Sequence, residues 1–399
     1  MANVSSSNGI EKYPKLRFPE FTEPWNDTVF DTFIQMHDEK VFGEHSYEVL
    51  TSSREGLQRQ SDHFGTEQRH DTDGYNIIPL GYCTYRNRSD DGIFTFNVNN
   101  AFHNGIVSKF YPVFKFVGAN STFMTEYLNN SISNKKKLSI LAVGTSQVVL
   151  SISALRSSSF CIPHEKEQDK LASFIELLNT RIVIQRQLVE HLKKYKRGVI
   201  NRLINNLMKH STTHDFKELV SIQRGGSPRP IDEYITDDPN GINWIKIGDV
   251  AVDSLYITKT KERIKPSGAG KSRKVRPGDL ILSNSMSFGR PYIMKIGGCI
   301  HDGWLLIRDD NEKYDKKFLC YYLASDNVLS QYRRFAAGSC VSNLNSDLVG
   351  NLQVVLPSME QQKKCAEIFE QIDARVFNAI RQYECLCQLK QGLLQQLFI

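Results

Sequence analysis

The sequence contains two copies of one long segment, and this internal repeat constrains the fold more than any other feature. Residues 163–204 and 357–398 align without a gap at a shift of 194 residues, with 11 identical pairs in 42 positions. This number of matches is far above what the amino-acid composition alone would produce. Because repeats of this kind mark duplicated structural units, we interpret the chain as a tandem duplication.

Both copies are predicted to be long amphipathic helices, since apolar residues recur through them at three- and four-residue steps. Each copy begins with a proline, Pro163 or Pro357, which suits the start of a helix but not its interior. So long an apolar stripe must be covered, and the other copy is the obvious partner. We therefore expect an antiparallel two-helix coiled coil; the alternative is that each helix packs on its own domain.

The segments that precede the two helices have the mixed pattern of α+β domains, in which short β-type runs alternate with turns and with helical stretches such as residues 315–335. The predicted fold is a pseudo-twofold tandem repeat of two globular α/β domains, separated and joined by two long antiparallel helices. We place the first globule at residues 1–162, the first helix at 163–210, the second globule at 211–356 and the second helix at 357–399.

Composition excludes several classes of protein. With 399 residues and 40% hydrophobic side chains, the chain can bury sizeable cores, and no apolar run approaches the length of a membrane span. The start of the sequence lacks a signal-peptide core, and the eight cysteines form no CxxC pair, so we expect a reduced, cytoplasmic protein. The net charge of +6 permits a polyanionic partner without requiring one.

Several strings, taken in their order and spacing, resemble the specificity subunit of type I restriction-modification systems over essentially the whole chain. The entry motif Tyr13-Pro14-Lys15-Leu16-Arg17-Phe18-Pro19-Glu20-Phe21 and the helix ends around Glu167-Gln168 and Lys196-Arg197-Gly198 resemble its first conserved region. The strings Trp244-Ile245-Lys246-Ile247-Gly248-Asp249 and His301-Asp302-Gly303-Trp304 resemble landmarks of its target recognition domains. One departure is visible, because Gln361 stands at the position equivalent to Glu167.

The resemblance implies a non-catalytic subunit in which each globule is a target recognition domain for one half of a split, asymmetric DNA sequence. The helices would set the spacing between the halves, and methylation and cleavage would belong to other subunits. A pseudo-twofold pair of helices has two similar outer faces, so we expect two methyltransferase subunits per chain; family resemblance adds two restriction/translocase subunits. Residues repeated on the helices are the candidates for docking these partners: Gln168, Arg181, Lys196, Gln362, Arg375 and Lys390.

The type of side chain on the polar loops indicates which residues could contact DNA. Phosphates attract Lys and Arg, and bases are recognised by forked or amide side chains on loops. Any single arginine among them could equally be a solvated surface charge. The candidates in the first globule are Arg54, Gln58, Arg59, Gln60, Tyr85, Arg86, Arg88, Thr145 and Gln147. The candidates in the second globule are Arg224, Arg229, Asn284, Ser285, Arg290, Ser342 and Asn343.

Catalytic interpretations of the sequence are weaker. The string Gly268-Ala269-Gly270-Lys271-Ser272 imitates the end of a phosphate-binding loop, but Lys265 stands where that motif requires glycine. The histidines and cysteines show no spacing typical of a metal site, so we expect neither a cofactor nor a metal. The alternatives that remain are a self-contained DNA-modifying enzyme with an unfamiliar site and a coiled-coil adaptor that does not bind DNA.

Overall fold

The computed structural model of the protein describes residues 12–66, 71–250, 254–284, 289–337 and 344–399. The chain divides into two compact units. The first comprises Met1–Arg186 with Arg381–Ile399, and the second comprises Gln187–Ile380. Both long helices contribute residues to both units. Within the described ranges, no helix is long and apolar enough to cross a membrane.

Within its described residues, the first unit contains four short α-helices, three of which begin at a polar residue whose side chain accepts a backbone N–H of the first turn. The helices are α1 (Gln60–Phe64), α2 (Ser121–Asn130), α3 (Ile132–Leu141) and α4 (Ile152–Arg156), followed by the start of α5 (Glu165–Lys209). The strands are β1 (Asn26–Val29), β2 (Ile34–His37), β3 (Glu48–Ser53), β4 (Gly56–Arg59), β5 (Asn76–Ile78), β6 (Cys83–Tyr85), β7 (Arg88–Ser89), β8 (Phe96–Val98), β9 (Gly105–Val107), β10 (Val113–Phe116), β11 (Val148–Val149) and β12 (Ser159–Ile162).

The strands of the first unit form two four-stranded sheets, in the orders β2-β10-β6-β8 and β4-β3-β9-β5. Two small sheets, β1-β12 and β11-β7, complete it. Pairing is antiparallel except between β3 and β9, where Glu48 lies opposite Gly105. The β1-β12 pair places the entry strand of the chain beside the strand that leads into α5.

The described part of the second unit contains the rest of α5, four short α-helices and most of the second long helix. The helices are α6 (Pro266–Ala269), α7 (Lys316–Leu323), α8 (Asp326–Ala337), α9 (Ser346–Gly350) and α10 (Met359–Leu397). The strands are β13 (Thr213–Asp215), β14 (Ser221–Arg224), β15 (Ile235–Thr236), β16 (Ile242–Ile245), β17 (Tyr256–Ile257), β18 (Glu262–Ile264), β19 (Arg273–Val275), β20 (Leu280–Ser283), β21 (Pro291–Met294), β22 (Gly298–Ile300), β23 (Trp304–Arg308) and β24 (Gln353–Val355).

Two five-stranded sheets dominate the second unit, in the orders β14-β23-β20-β21-β17 and β15-β18-β16-β22-β19. A separate pair, β13-β24, leads into α10 as β1-β12 leads into α5. The helical stretch predicted at residues 315–335 is interrupted, because α7 ends at Leu323 and α8 begins at Asp326.

Each unit has its own hydrophobic core, and segments of both long helices enter each one. In the first unit, Leu171 and Ile175 of α5 share an aromatic-rich cluster with Leu394 and Leu397 of α10. Phe398 follows α10 into this cluster and lies edge-on to Tyr127, with ring centroids 5.2 Å apart. Fully burying one such side chain contributes about 1.5–3 kcal/mol, so the helix ends are part of what holds this unit together.

Within each unit the two long helices run in opposite directions. In the first unit Gln185 of α5 donates to Gln382 of α10 across 3.2 Å. In the second unit Lys196 of α5 forms an ion pair of 2.5 Å with Asp373 of α10. Later residues of α5 therefore meet earlier residues of α10. The predicted α+β fold class with two sheet-rich domains and long antiparallel helices is confirmed.

The duplication extends beyond the helices into a second pair of equivalent elements, α2 and α7. The sequence Phe-x₃-Tyr-Leu occurs in both, at residues 123–128 and 318–323, but at a shift of 195 instead of 194. In the first unit Tyr127 donates its hydroxyl hydrogen to the carbonyl of Cys161 at 2.8 Å. In the second unit the backbone N–H of Val355 donates to the hydroxyl of Tyr322 at 2.9 Å.

A buried glutamine ties each of these short helices to the start of a long helix. Gln168 is 2% exposed and accepts the backbone N–H of Asn120, the residue that caps α2. Gln362 is 0% exposed and accepts the backbone N–H of Asp315, which caps α7. We call Gln168 and Gln362 the helix-entry glutamines. Each also donates to the carbonyl of the proline before its helix, at 2.9 Å in both units.

The departure from the repeat at Glu167 has a structural reason. Glu167 is buried and accepts two hydrogen bonds from Arg17, at 2.8 and 2.6 Å, which tie the entry segment to α5. Gln361, at the equivalent position, is exposed and instead exchanges hydrogen bonds with the backbone and hydroxyl of Ser358. This reciprocal pattern is a capping box, and it satisfies the first turn of α10 without a charge.

Candidate nucleic-acid interface

A cleft of about 780 Å³ in the first unit gathers several of the polar residues predicted to contact DNA. The turn between β3 and β4 contributes Arg54, and the start of α1 contributes Gln60. Strand β7 and the residues just before it contribute Arg86 and Arg88. All three arginines are exposed. Arg54 and Gln60 are at least 26 positions away from Arg86 and Arg88 in the sequence, yet all four line one concave surface.

Arg54 is held in place within this cleft. Its Nη2 donates to Oδ2 of Asp91. The other oxygen of Asp91 accepts from Ser89 Oγ at 2.9 Å and from the backbone N–H of Ile93 at 3.2 Å. The hydrogen bond from Arg54, followed by those from Ser89 and Ile93, lowers the pKa of Asp91 to about 2, so this carboxylate stays charged at neutral pH.

An aromatic ring lines the cleft, and a polar turn lies next to it. The guanidinium of Arg88 lies 4.8 Å from the ring centroid of Phe110, close enough for a cation–π interaction. Gln147 donates to Asp90 at 2.9 Å, and β11, which follows it, pairs with β7. Thr145 is exposed in the same turn. This arrangement brings the turn of residues 144–147 beside the arginines, as a DNA-contacting surface would require.

Three candidates of the first unit lie elsewhere. Arg59 does not line the cleft; it forms an exposed ion pair with Glu48 at 2.5 Å. Gln58 is half-buried in β4, opposite Thr51 of β3. Tyr85 is 0% exposed, and its hydroxyl donates to the carbonyl of Leu150 at 3.1 Å. The prediction that Tyr85 contacts DNA is wrong, because its ring belongs to the core.

In the second unit the polar loops meet at Asp302, between β22 and β23. Its Oδ1 accepts from Ser227 Oγ at 2.9 Å and lies 2.8 Å from Nε2 of His301. Its Oδ2 faces Nη2 of Arg229 at 3.7 Å, and its backbone carbonyl accepts from Nε of Arg224 at 3.3 Å. The side chain of Arg229 is 83% exposed. The predicted pair Arg224 and Arg229 is therefore brought together.

The remaining candidates of the second unit have mixed outcomes. Asn284 is 3% exposed and donates to the carbonyl of Asp302 at 2.8 Å, so the prediction that it reads bases is wrong. Its amide serves to fix the loop. Arg290 is half-buried, and its backbone N–H donates to Ser283 Oγ at 2.9 Å. Ser285, Ser342 and Asn343 lie outside the described residues.

The residues proposed to dock partners also divide into two groups. Arg181 and Arg375 are exposed at equivalent positions of α5 and α10. The helix-entry glutamines Gln168 and Gln362 are fully buried, so the prediction that they bind a partner is wrong. A glutamine is a polar residue that sequence alone places on the surface, whereas here its amide joins two elements inside each unit.

Lys196 and Lys390 form ion pairs within their own units, and their docking role stays a prediction. Lys390 donates to Glu126 of α2 at 2.9 Å, and Asn179 of α5 donates to the same oxygen at 3.1 Å. In the second unit Lys196 pairs with Asp373, which also accepts from the hydroxyl of Tyr321 at 2.6 Å.

The carboxylate thus occupies different elements in the two units. The repeat makes Asn179 equivalent to Asp373 and, at the shift of 195, Glu126 equivalent to Tyr321. In the first unit the acid lies on the short helix, and in the second it lies on the long helix. Each unit therefore contains one lysine and one carboxylate at this place, so the local net charge is the same although the carboxylate lies on a different helix.

Sequence reasoning missed Asp91 and Asp302, the two aspartates around which the arginines are arranged. Asp302 belongs to the string His301-Asp302-Gly303-Trp304, which resembles a landmark of the family but does not indicate a partner for the aspartate. Asp91 follows Ser89 at two residues, a spacing typical of a local turn but too common to stand out. The Phe-x₃-Tyr-Leu repeat was missed because it is offset by one residue from the helix repeat.

Comparison with known proteins finds a family match over most of the second unit. Residues 209–384 match the type I restriction modification DNA specificity domain. This part of the chain is similar to the specificity domain of type I restriction-modification systems. The resemblance inferred from the sequence motifs is confirmed.

One curated relative is named a type I restriction enzyme MjaVIII specificity subunit, from Methanocaldococcus jannaschii. It is 24% identical over 243 residues, which cover 53% of this chain and 54% of the relative. A second from the same organism, named a putative type I restriction enzyme MjaX specificity subunit, is 25% identical over 199 residues and is covered over 44% of its length. The chain thus spans about half the length of the curated relatives it matches.

Solved structures show that the fold resemblance covers nearly the whole chain. The S subunit of a type I restriction-modification system from M. genitalium superposes with a TM-score of 0.55 at 15% identity, covering 97% of this chain and 99% of that one. A chain from a structure titled for complex assembly and conformational transition of the type I R-M system gives 0.60 at 16% identity, covering 94% and 97%.

The relocated carboxylate gives a prediction for the stability of the first unit. The side chains of Lys390 and Glu126 are only 21% and 17% exposed, so losing the carboxylate leaves a poorly solvated ammonium. We expect Glu126→Gln to lower the free energy of unfolding of this unit by about 1–3 kcal/mol. Hydrogen exchange in α2 and the end of α10 measures this change.

Adding Asn179→Asp to the Glu126→Gln variant moves the acid to the position it has in the second unit. This second change should recover at least half of the lost protection. The matched control is Glu190→Gln, whose exposed ion pair with Lys193 spans 3.7 Å and should contribute less than about 0.5 kcal/mol. Equal losses for Glu126→Gln and Glu190→Gln would contradict the account.

Proposed function

We propose that the chain is the non-catalytic specificity subunit of a type I restriction-modification complex. Each unit contacts one half of a two-part, asymmetric DNA sequence. One observation carries the proposal. The helix-entry glutamines tie α2 and α7 to the long helices by equivalent hydrogen bonds, whereas the arginine-bearing loops differ between the two units. A duplicated frame with diverged loops suits two separate half-sites of different sequence.

The loops of both units suit contact with double-stranded DNA. Arginine donates two parallel hydrogen bonds to guanine in the major groove and is also the common partner of phosphates. The cleft of the first unit presents Arg54, Arg86 and Arg88, and the second unit presents Arg224 and Arg229. The candidates Gln60, Thr145, Gln147 and Arg290 support these arginines, and Gln58 would act outside the cleft, on phosphates. Arg59 is instead held in its ion pair with Glu48.

The names of the similar proteins indicate which partner subunits to propose. A curated relative is called a specificity subunit, and a solved neighbour comes from a study of type I complex assembly. We propose assembly with two methyltransferase subunits and two restriction/translocase subunits, which would perform the chemistry in the cytoplasm. Arg181 and Arg375 are exposed and equivalent, so they would mark two similar docking faces, one for each methyltransferase.

The helices would set the gap between the half-sites. Both are long, 45 residues for α5 and 39 for α10, and both pass from one unit into the other. A helix has a fixed rise of about 1.5 Å per residue, so its length changes only with its number of residues. The gap would then depend on helix length and not on any base contact.

Substitution of single arginines tests the assignment of one unit to one half-site. With the chain co-expressed with its methyltransferase, the methylated sites of the genome give both halves of the target. We expect Arg88→Ala to affect the first half-site only and Arg290→Ala the second only. A lost base contact costs about 1–3 kcal/mol and relaxes one position, whereas a lost phosphate contact weakens all sequences and reduces the salt slope by roughly 0.9.

Arg59→Ala is the matched control, since this arginine is also exposed in the first unit but lies outside the cleft. It should leave both half-sites unchanged. A change in the first unit's half-site on replacing Arg290 would contradict the division of labour. Methylation by the isolated chain with S-adenosylmethionine would favour the alternative of a self-contained enzyme, and an assembled complex without salt-dependent DNA binding would favour an adaptor.

Lengthening both helices together tests the spacing. Insertion of four residues after Arg186 in α5 and four after Ile380 in α10 falls beside the Gln185–Gln382 contact, so pairing is preserved on both sides. One added turn is about 6 Å. Because the rise of B-DNA is about 3.4 Å per base pair, the preferred gap should lengthen by one or two base pairs with both half-sites unchanged.

Insertion into α5 alone is the control, because it shifts the pairing with α10 and should reduce activity. Recovery of the original gap from the paired insertion would show that the spacing is set by something other than helix length.

A further inference from the structure

Each unit contains an aspartate that is fixed by a serine and faces an exposed arginine. In the first unit, Oδ1 of Asp91 accepts from Ser89 Oγ at 2.9 Å, and Oδ2 accepts from Arg54. The side chain of Arg54 is 64% exposed, and that of Asp91 is 45% exposed. The aspartate is further held by the backbone N–H of Ile93, so its carboxylate has a defined orientation in the turn.

The second unit repeats this arrangement on different elements. Oδ1 of Asp302 accepts from Ser227 Oγ at 2.9 Å, and Oδ2 faces Nη2 of Arg229 at 3.7 Å. A second group holds the carboxylate here as well. Nδ1 of His301 accepts the backbone N–H of Gly303 at 2.9 Å, which leaves the hydrogen of a neutral ring on Nε2, 2.8 Å from Oδ1 of Asp302.

Stability does not explain why both units contain this arrangement. Ion pairs between exposed side chains contribute little to folding, because water screens them and two flexible side chains must be ordered. What such a pair does provide is orientation of the guanidinium. An arginine has five N–H donors in a rigid fork, so the hydrogen bond from Arg54 to Asp91 leaves the others for a ligand. Arg229 faces Asp302 in an ion pair at 3.7 Å, without a hydrogen bond, which leaves all of its donors for a ligand.

We propose that Asp91 and Asp302 are positioning residues that hold Arg54 and Arg229 for the recognition of a G·C pair, one in each half-site. The inference rests on the proposed function, since it concerns how the two units recognise DNA. Neither aspartate was a candidate contact on sequence grounds.

The chemistry of both partners matches a G·C pair. In the major groove guanine presents two acceptors, O6 and N7, to which an arginine fork donates two hydrogen bonds. The cytosine of the same pair presents an amino donor, which a neighbouring carboxylate tolerates. Phosphate oxygens are negatively charged, so an aspartate beside the arginine disfavours a phosphate contact. The pair is therefore suited to base recognition and not to backbone binding.

The test is a comparison of methylated sites in cells that contain the full chain and its methyltransferase. We expect Asp91→Asn to reduce discrimination about tenfold at one G·C position of the first half-site, and Arg54→Ala to relax that same position. Asp302→Asn and Arg229→Ala should share one position of the second half-site in the same way. Asp91→Glu should restore much of the discrimination, because it keeps a carboxylate within reach of the arginine.

Glu48→Gln is the matched control, since Glu48 forms an equally exposed ion pair with Arg59 on the same sheet, outside the cleft. It should leave the site unchanged, and hydrogen exchange should show both variants folded. An unchanged site for Asp91→Asn would overturn the inference and leave the proposed function standing. Relaxation at a position other than that of Arg54→Ala would overturn the positioning role. A wild-type chain without any two-part site would overturn the proposed function together with the inference.

Discussion

The buried amides of Gln168 and Gln362 are the contacts on which the rest of the architecture depends. A buried amide must be hydrogen-bonded, and each glutamine meets this requirement by joining the capping residue of a short helix to the proline before a long one. The short helix in turn packs its phenylalanine and tyrosine into the core. Through this joint, the geometry of a long helix is transmitted to the sheet-rich part of its unit, independently of the loop sequences.

With the helix-entry contacts the same in both units, other contacts occupy different positions in each. The lysine–carboxylate group illustrates this: Glu126 supplies the acid in the first unit, whereas Asp373 supplies it in the second. The loops have diverged further, since the cleft around Asp91 and the cluster around Asp302 are built on different strands. Conserving the joint while varying the loops is the property that a protein needs in order to hold two different half-sites in one arrangement.

The sequence predicted the fold well because its strongest signal, the helix repeat, is also the main structural element. Helical periodicity and the flanking prolines placed α5 and α10 within a few residues. The site was harder to predict. Chemistry alone selected arginines on polar loops, and several of them share the cleft, but it also selected Tyr85 and Asn284, which are buried. Burial depends on tertiary packing, and a tyrosine between arginines has the same sequence pattern whether its ring faces solvent or the core.

The aspartates escaped prediction for a related reason. Asp91 and Asp302 are paired with Arg54 and Arg229, which are 37 and 73 residues away, and no local sequence pattern indicates such a pairing. The equivalence of α2 and α7 is also not evident from the sequence, because their Phe-x₃-Tyr-Leu repeat is offset by one residue from the helix repeat. Local sequence patterns therefore predicted the long helices, whereas the aspartate–arginine pairs that differ between the units could be identified only from the three-dimensional structure.

Exchange of one globule tests the central claim most directly. Residues 213–356 would be replaced by the corresponding region of another specificity subunit with a different known target, and the methylated sites would be mapped in cells containing the matching methyltransferase. The account predicts a new two-part site in which one half comes from the donor, the other half is unchanged, and the gap is that of the present chain. A site in which both halves change, or in which the gap follows the donor, would contradict it.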